Sequence, residues 1–116
     1  MRKSGVRKLN NKLTSYFGFC VRSGKIAYGV DDIEKQKKSV FLLVFDENLG
    51  GSSTRILLKA KEKFDCQLLV AESGVLAELL HKPAVKAVAI KDKHLAQAIL
   101  SVLDGDAKLK FYGEKD

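Results

Sequence analysis

Residues 40–45, Val-Phe-Leu-Leu-Val-Phe, are uninterrupted by any polar side chain and end at the paired carboxylates Asp46-Glu47. So short a run, rich in β-branched and aromatic residues, reads as a strand buried on both faces. Burial on both faces requires a layer of helices above and below. A one-sided antiparallel sheet is thereby excluded and an α/β fold predicted.

The flanking sequence supplies those layers. Leu9, Leu13, Tyr16, Phe17, Cys20 and Val21 recur at helical spacing and stop at Ser23-Gly24, where glycine favours a left-handed C-cap. Lys25 to Tyr28 is a short extended segment closed by Gly29. A second helix runs from Val30 to Lys37, with Asp31, Asp32 and Glu34 near its positive end. A loop over Asn48 to Ser53 leads to a helix from Thr54 to Phe64, for which Ser52 or Ser53 is the expected N-cap. Gln67–Val70 is a further strand, Ser73 caps a helix ending at Leu80 and stopped by Pro83, Ala84–Ile90 is the last strand, and Lys93–Leu103 is a terminal helix. This alternation predicts a three-layer α/β/α sandwich with a small mixed sheet. The expected organisation is a basic flexible N-terminus over 1–8, one domain over 9–104 and a polar C-terminal tail over 105–116.

Charge is distributed unevenly. Residues 1–30 carry seven basic and no acidic side chains, whereas residues 31–116 carry fourteen of each. A net charge of +7 concentrated in this way attracts phosphates and releases their counterions, as nucleic-acid binders do. No apolar run spans a bilayer and no signal-peptide pattern is present, so a cytoplasmic protein is expected. Cys20 and Cys66 have neither C-x-x-C spacing nor enough companions for a disulfide framework or a zinc site, and read as small buried hydrophobes.

A catalytic constellation is not legible. His81 and His94 have no nucleophile or acid at triad spacing, and Gly50-Gly51-Ser52-Ser53-Thr54 matches neither phosphate-loop fingerprint. Asp46 and Glu47 read as solvated turn residues rather than as an acid/base pair. No metal, cofactor or enzymatic activity is expected. The loops are more informative: Arg22, Lys25 and Lys35 fall around turns made by Gly24 and Gly29, basic side chains for phosphates beside glycines that let a partner come close.

Residues 18–29, Gly-Phe-Cys-Val-Arg-Ser-Gly-Lys-Ile-Ala-Tyr-Gly, resemble the G-L-x-x-R-A-G-K-x-x-x-G signature of the ribosomal L7Ae/L30e family, especially its small bacterial members. The apolar strand ending in Asp46 resembles the family's strand ending in A-E-D. Residues 70–77, Val-Ala-Glu-Ser-Gly-Val-Leu-Ala, resemble its V-A-S-x-x-x-L-G loop and helix start, and the likeness extends by element order over residues 9–103. The resemblance implies an RNA-binding α/β/α sandwich that grips kink-turns, using a G-x-N-E-x-x-K segment and the V-A-S-x-x-x-L-G loop. Carried onto this chain, the segment is Gly29, Val30, Asp31, Asp32 and Lys35, and the loop is Ala71, Glu72, Ser73, Gly74 and Val75. Gly29, Lys35, Val70 and Ala71 match. Asp31-Asp32 stand where the family has Asn-Glu, Glu72 replaces a small polar residue, and Ala77 replaces glycine.

The expected function is therefore non-enzymatic binding of structured, kink-turn-like or ribosomal RNA. Phosphate contacts come from Arg22, Lys25, Lys35 and the basic N-terminus, and shape readout from the Gly29–Asp32 and Ala71–Val75 loops. The expected partner is such an RNA, on the ribosome or elsewhere, bound by a free monomer with no membrane contact. The acidic departures leave open a protein-interaction module on the same fold with kink-turn recognition lost. An enzyme using the Asp46/Gly51 sheet edge is a third reading, which lacks a catalytic pair.

Overall fold

The computed structural model describes residues 11–103 and 108–113. The proposed flexible segment 1–8 lies outside them. The elements in chain order are α1 (Asn11–Ser23), β1 (Ile26–Tyr28), α2 (Val30–Lys35), β2 (Leu42–Asp46), α3 (Gly51–Phe64), β3 (Gln67–Ala71), α4 (Val75–Leu80), β4 (Ala87–Ile90), α5 (Lys93–Ser101) and β5 (Leu109–Phe111). The strands form one sheet in the order β1-β4-β2-β3-β5. β2 and β3 run parallel, and the other neighbours are antiparallel.

The apolar run does what its composition demands. All residues of β2 are buried, and successive side chains alternate between two cores. Leu42 and Val44 join Leu69, Val88 and Ile90 against Phe17, Leu76, Leu79 and Ile99 from α1, α4 and α5. Leu43 and Phe45 join Leu68, Ala87 and Ala89 against Ile33, Leu57 and Ala60 from α2 and α3. The molecule is thus a three-layer α/β/α sandwich on a mixed sheet. The side chains filling each side follow the two-residue period of the strands.

Helix ends depart from the sequence reading in instructive ways. α1 closes as expected: Gly24 has φ +72° and the Lys25 amide donates to the Cys20 carbonyl at 3.1 Å. α3 and α4 close with the same hydrogen-bond arrangement, but Asp65 (φ 52°) and His81 (φ 57°) take the left-handed position. α4 therefore ends at Leu80, as expected, but is closed by His81 rather than by Pro83. Its N-cap is Gly74, not Ser73, and α3 is capped by Gly50, so Ser52 and Ser53 lie inside its first turn.

β2 begins at Leu42, leaving Phe41 outside the strand and on the surface. The C-terminal segment is not wholly a tail, because Leu109–Phe111 pairs antiparallel with β3 and covers its edge. Tyr112 then meets Phe45 edge-on, with ring centroids 5.3 Å apart.

Both cysteines are free thiols. Burial pushes each up to about 11, aided at Cys20 by the Asp92 carboxylate. No helix among the described residues is long and apolar enough to cross a membrane.

Candidate nucleic-acid interface

Sheet topology decides which of the sequence-selected residues meet. β1 and β3 end where β4 begins, so Gly29, Ala71, Asp46 and Ala87 all lie at one end of the sheet. The Gly29 amide donates to Ala87 O at 2.8 Å, and the Asp46 amide to Lys86 O at 2.8 Å. With strands about 4.8 Å apart, the Gly29 and Ala71 positions are separated by three spacings, roughly 14 Å. The start of α2 and the 72–74 loop thus face the same side, as the RNA reading requires.

Gly29 has φ 83° and ψ 153°, a backbone conformation open essentially to glycine alone, and its carbonyl accepts the Ile33 amide at 3.0 Å to start α2. Val30 is half-buried against the α2–α3 core, whereas Asp31, Asp32 and Lys35 are exposed. Asp32 is engaged by the Gln36 side-chain amide, which donates to its Oδ1 at 3.4 Å.

The second loop is held firmly. Asp46 Oδ1 accepts from the Asn48 amide at 2.7 Å and Oδ2 from the Gly74 amide at 2.9 Å. Glu47 Oε2 accepts from the Ser73 amide at 2.8 Å, and Asn48 Nδ2 donates to Ser73 Oγ at 2.7 Å. Asp46 and Glu47 are therefore not free turn carboxylates. Asp46 is only 4% exposed, and the pair braces the loop in place. Ala71 and Val75 are buried core residues, so only Glu72, Ser73 and Gly74 of this proposed contact loop present side-chain or backbone surface.

Arg22 and Lys25 lie elsewhere. Lys25 precedes β1, its carbonyl accepts the Lys91 amide at 2.9 Å, and it sits at the opposite end of the sheet from Gly29. The Arg22 guanidinium lies 4.9 Å from the Phe19 ring centroid, laid along α1 itself. The four-residue separation of Lys25 and Gly29 is spanned by extended chain, so these basic groups do not join the Gly29–Lys35 surface.

Sequence reasoning missed Lys82 and Lys86. Both are exposed on the α4–β4 connection, and β4 lies between β1 and β2, so this connection emerges between the two candidate loops. Lys82 Nζ stands 5.2 Å from the Tyr28 ring centroid, beside Gly29. The sequence offered little signal, because Lys86 falls inside the segment 84–90 read as the last strand, which in the structure begins only at Ala87.

No protein-family model matches the chain, and no curated protein matches it. Among solved structures it is similar to a protein of unknown function from Bacillus halodurans. The TM-score is 0.70 at 17% identity, over 79% of this chain and 96% of that one. At this identity the likeness shows the shared fold and nothing further.

The two ends of the sheet differ in charge. At the Gly29 end the described residues set Lys12, Lys35, Arg55, Lys82, Lys86 and Lys108 against Asp31, Asp32, Glu34, Asp46, Glu47, Glu72 and Glu78, six basic groups against seven acidic. At the other end they set Arg22, Lys25, Lys37, Lys38, Lys61, Lys63, Lys91 and Lys93 against Glu62, Asp65 and Asp92, eight against three. Among the described residues no three His, Cys, Asp or Glu side chains are placed to hold a metal ion.

Proposed function

We propose that this protein is a non-enzymatic, cytoplasmic RNA-binding module that grips a bent, structured RNA at the Gly29 end of its sheet. The observation that carries this reading is the placement of two glycine-led helix starts, at Gly29 and Gly74, at one end of the sheet with Lys82 and Lys86 emerging between them. RNA is read by proteins mainly at unstacked, distorted sites rather than in the deep A-form groove, and a rigid pair of loops about one helix-width apart suits such a site. Lys35, Lys82 and Lys86 supply phosphate contacts. Asp31 and Asp32 accept from exposed base edges, most readily the amino and imino donors of guanine. The resemblance of residues 18–29 to the L7Ae/L30e signature supports a kink-turn, ribosomal RNA included, as the bent form. The protein acts as a monomer in this reading.

Titration of the full chain against a kink-turn RNA and a straight duplex of matched length tests it. Preference for the kink-turn of at least about tenfold, lost in Lys35→Ala/Lys86→Ala, is the expected result; a lost phosphate contact weakens binding and flattens its salt dependence. Equal affinity for both RNAs, unchanged in the variant, would refute it. The second reading, a protein-interaction surface, is favoured by one observation: acidic groups outnumber basic ones at this end of the sheet. It predicts weak binding to both RNAs alike.

A further inference from the structure

The most basic surface of the described chain is not the one that carries the family-like loops. At the Lys25 end, Lys25, Lys91 and Phe41 stand next to the paired ends of β1, β4 and β2, and Gln67 opens β3 opposite Leu42. The Phe41 amide donates to Ile90 O at 2.9 Å, which ties its backbone to the end of β4. The Phe41 side chain is 36% exposed, although six consecutive apolar residues would ordinarily all enter the core. It lines a surface groove of about 320 Å³ together with Lys61, Lys93, Gln67, Gln97 and Asp65. The groove volume falls in the usual range for a site that takes one small ligand unit.

We propose that this groove is a second RNA site, which takes a single-stranded segment. One base stacks on Phe41 and meets the amides of Gln67 and Gln97 at its edge, while Lys61 and Lys93 hold the adjoining phosphates. Lys25 and Lys91 extend the positive track by two strand spacings, about 10 Å, enough for a neighbouring nucleotide. Exposed aromatic rings set among basic groups are how proteins hold single strands, because every base has a face to stack and every nucleotide a phosphate. Side-chain amides offer both donor and acceptor to a base edge. The concavity and its polar lining suit a splayed nucleotide better than a flat headgroup layer. The proposal rests on the protein being an RNA binder, but not on which RNA the Gly29 end holds.

The test is a titration of the full chain with a fluorescent oligouridine too short to fold, over a range of salt. Lys61→Gln/Lys93→Gln should weaken binding about tenfold and reduce the salt slope by about 1.4, two phosphate contacts at roughly 0.7 each. Phe41→Leu keeps an apolar side chain at the position and should cost about tenfold with little change in salt slope, since stacking is what it removes. Lys82→Gln/Lys86→Gln should leave oligouridine binding within about twofold while weakening kink-turn binding. Oligouridine affinity unmoved by both groove variants overturns the proposal, and so does stronger dependence of binding on Lys61 and Lys93 with phosphatidylserine vesicles than with oligouridine. Loss of kink-turn preference with oligouridine binding intact would instead sink only the reading of the Gly29 end.

Discussion

Asp46 Oδ1 and Oδ2 each hold a different backbone amide, one local at Asn48 and one twenty-eight residues away at Gly74. Replacing the carboxylate leaves both amides without a charged acceptor in a site that is only 4% exposed. Asp46→Ala should therefore destabilise the fold by about 2–3 kcal/mol, read as a lowered urea midpoint, while Asp46→Asn, which retains one acceptor, should cost about half of that. Both variants should also speed amide exchange at Ser73 and Gly74. An unchanged midpoint in Asp46→Ala would mean that the brace does not support the loop. The sequence showed two adjacent carboxylates after a strand and could not reveal this role. Their partners are remote in the chain, and a paired and a solvated carboxylate look alike as letters. Residues of the opposite kind were also opaque: Ala71 and Val75 fall in a loop-like motif but point into the core.

At the scale of elements, what was legible followed from local chemistry. The alternation of strands and helices, the burial of β2 on both faces and the Gly24 cap all depend on residues within one turn or one strand of each other. What was missed depended on competition between neighbours. Gly50 and Gly74, rather than the nearby serines, start α3 and α4, and Asp65 and His81 close helices in a conformation usually left to glycine. β5 escaped detection because its pairing with β3 is set by a remote edge, not by its own short sequence. Gly29 and Gly74 differ in a way that makes a clean test. Both have φ 83°, but Gly29 has ψ 153° and Gly74 has ψ −12°, and added Cβ atoms would meet nothing within 4 Å at either. Any cost is thus backbone strain alone. Asn tolerates the left-handed helical region and not the other. Gly74→Asn should cost under about 1 kcal/mol and Gly29→Asn about 2–3 kcal/mol in unfolding experiments. Equal costs would contradict the backbone account of why glycine begins α2.

At the scale of the whole molecule, the sheet acts as a divider between two differently charged ends. The sequence placed the positive charge in the first thirty residues, and the fold then sends Arg22 and Lys25 to one end and Gly29 to the other. A three-residue strand is enough to separate residues that are neighbours in the chain. It is also why Lys82 and Lys86, far from the basic N-terminal region in sequence, arrive beside Gly29 in space. Under the proposed function the Gly29 end reads RNA by shape and a few lysines, while the Lys25 end carries the larger excess of basic over acidic groups among the described residues. The most direct check is an amide chemical-shift map of the full chain titrated with a kink-turn RNA. The account predicts the largest changes at Gly29, Asp31, Asp32, Ser73, Gly74 and Lys86, saturating together at one RNA per protein. Changes confined to Lys25, Lys91 and Phe41, with the Gly29 end silent at saturation, would contradict it.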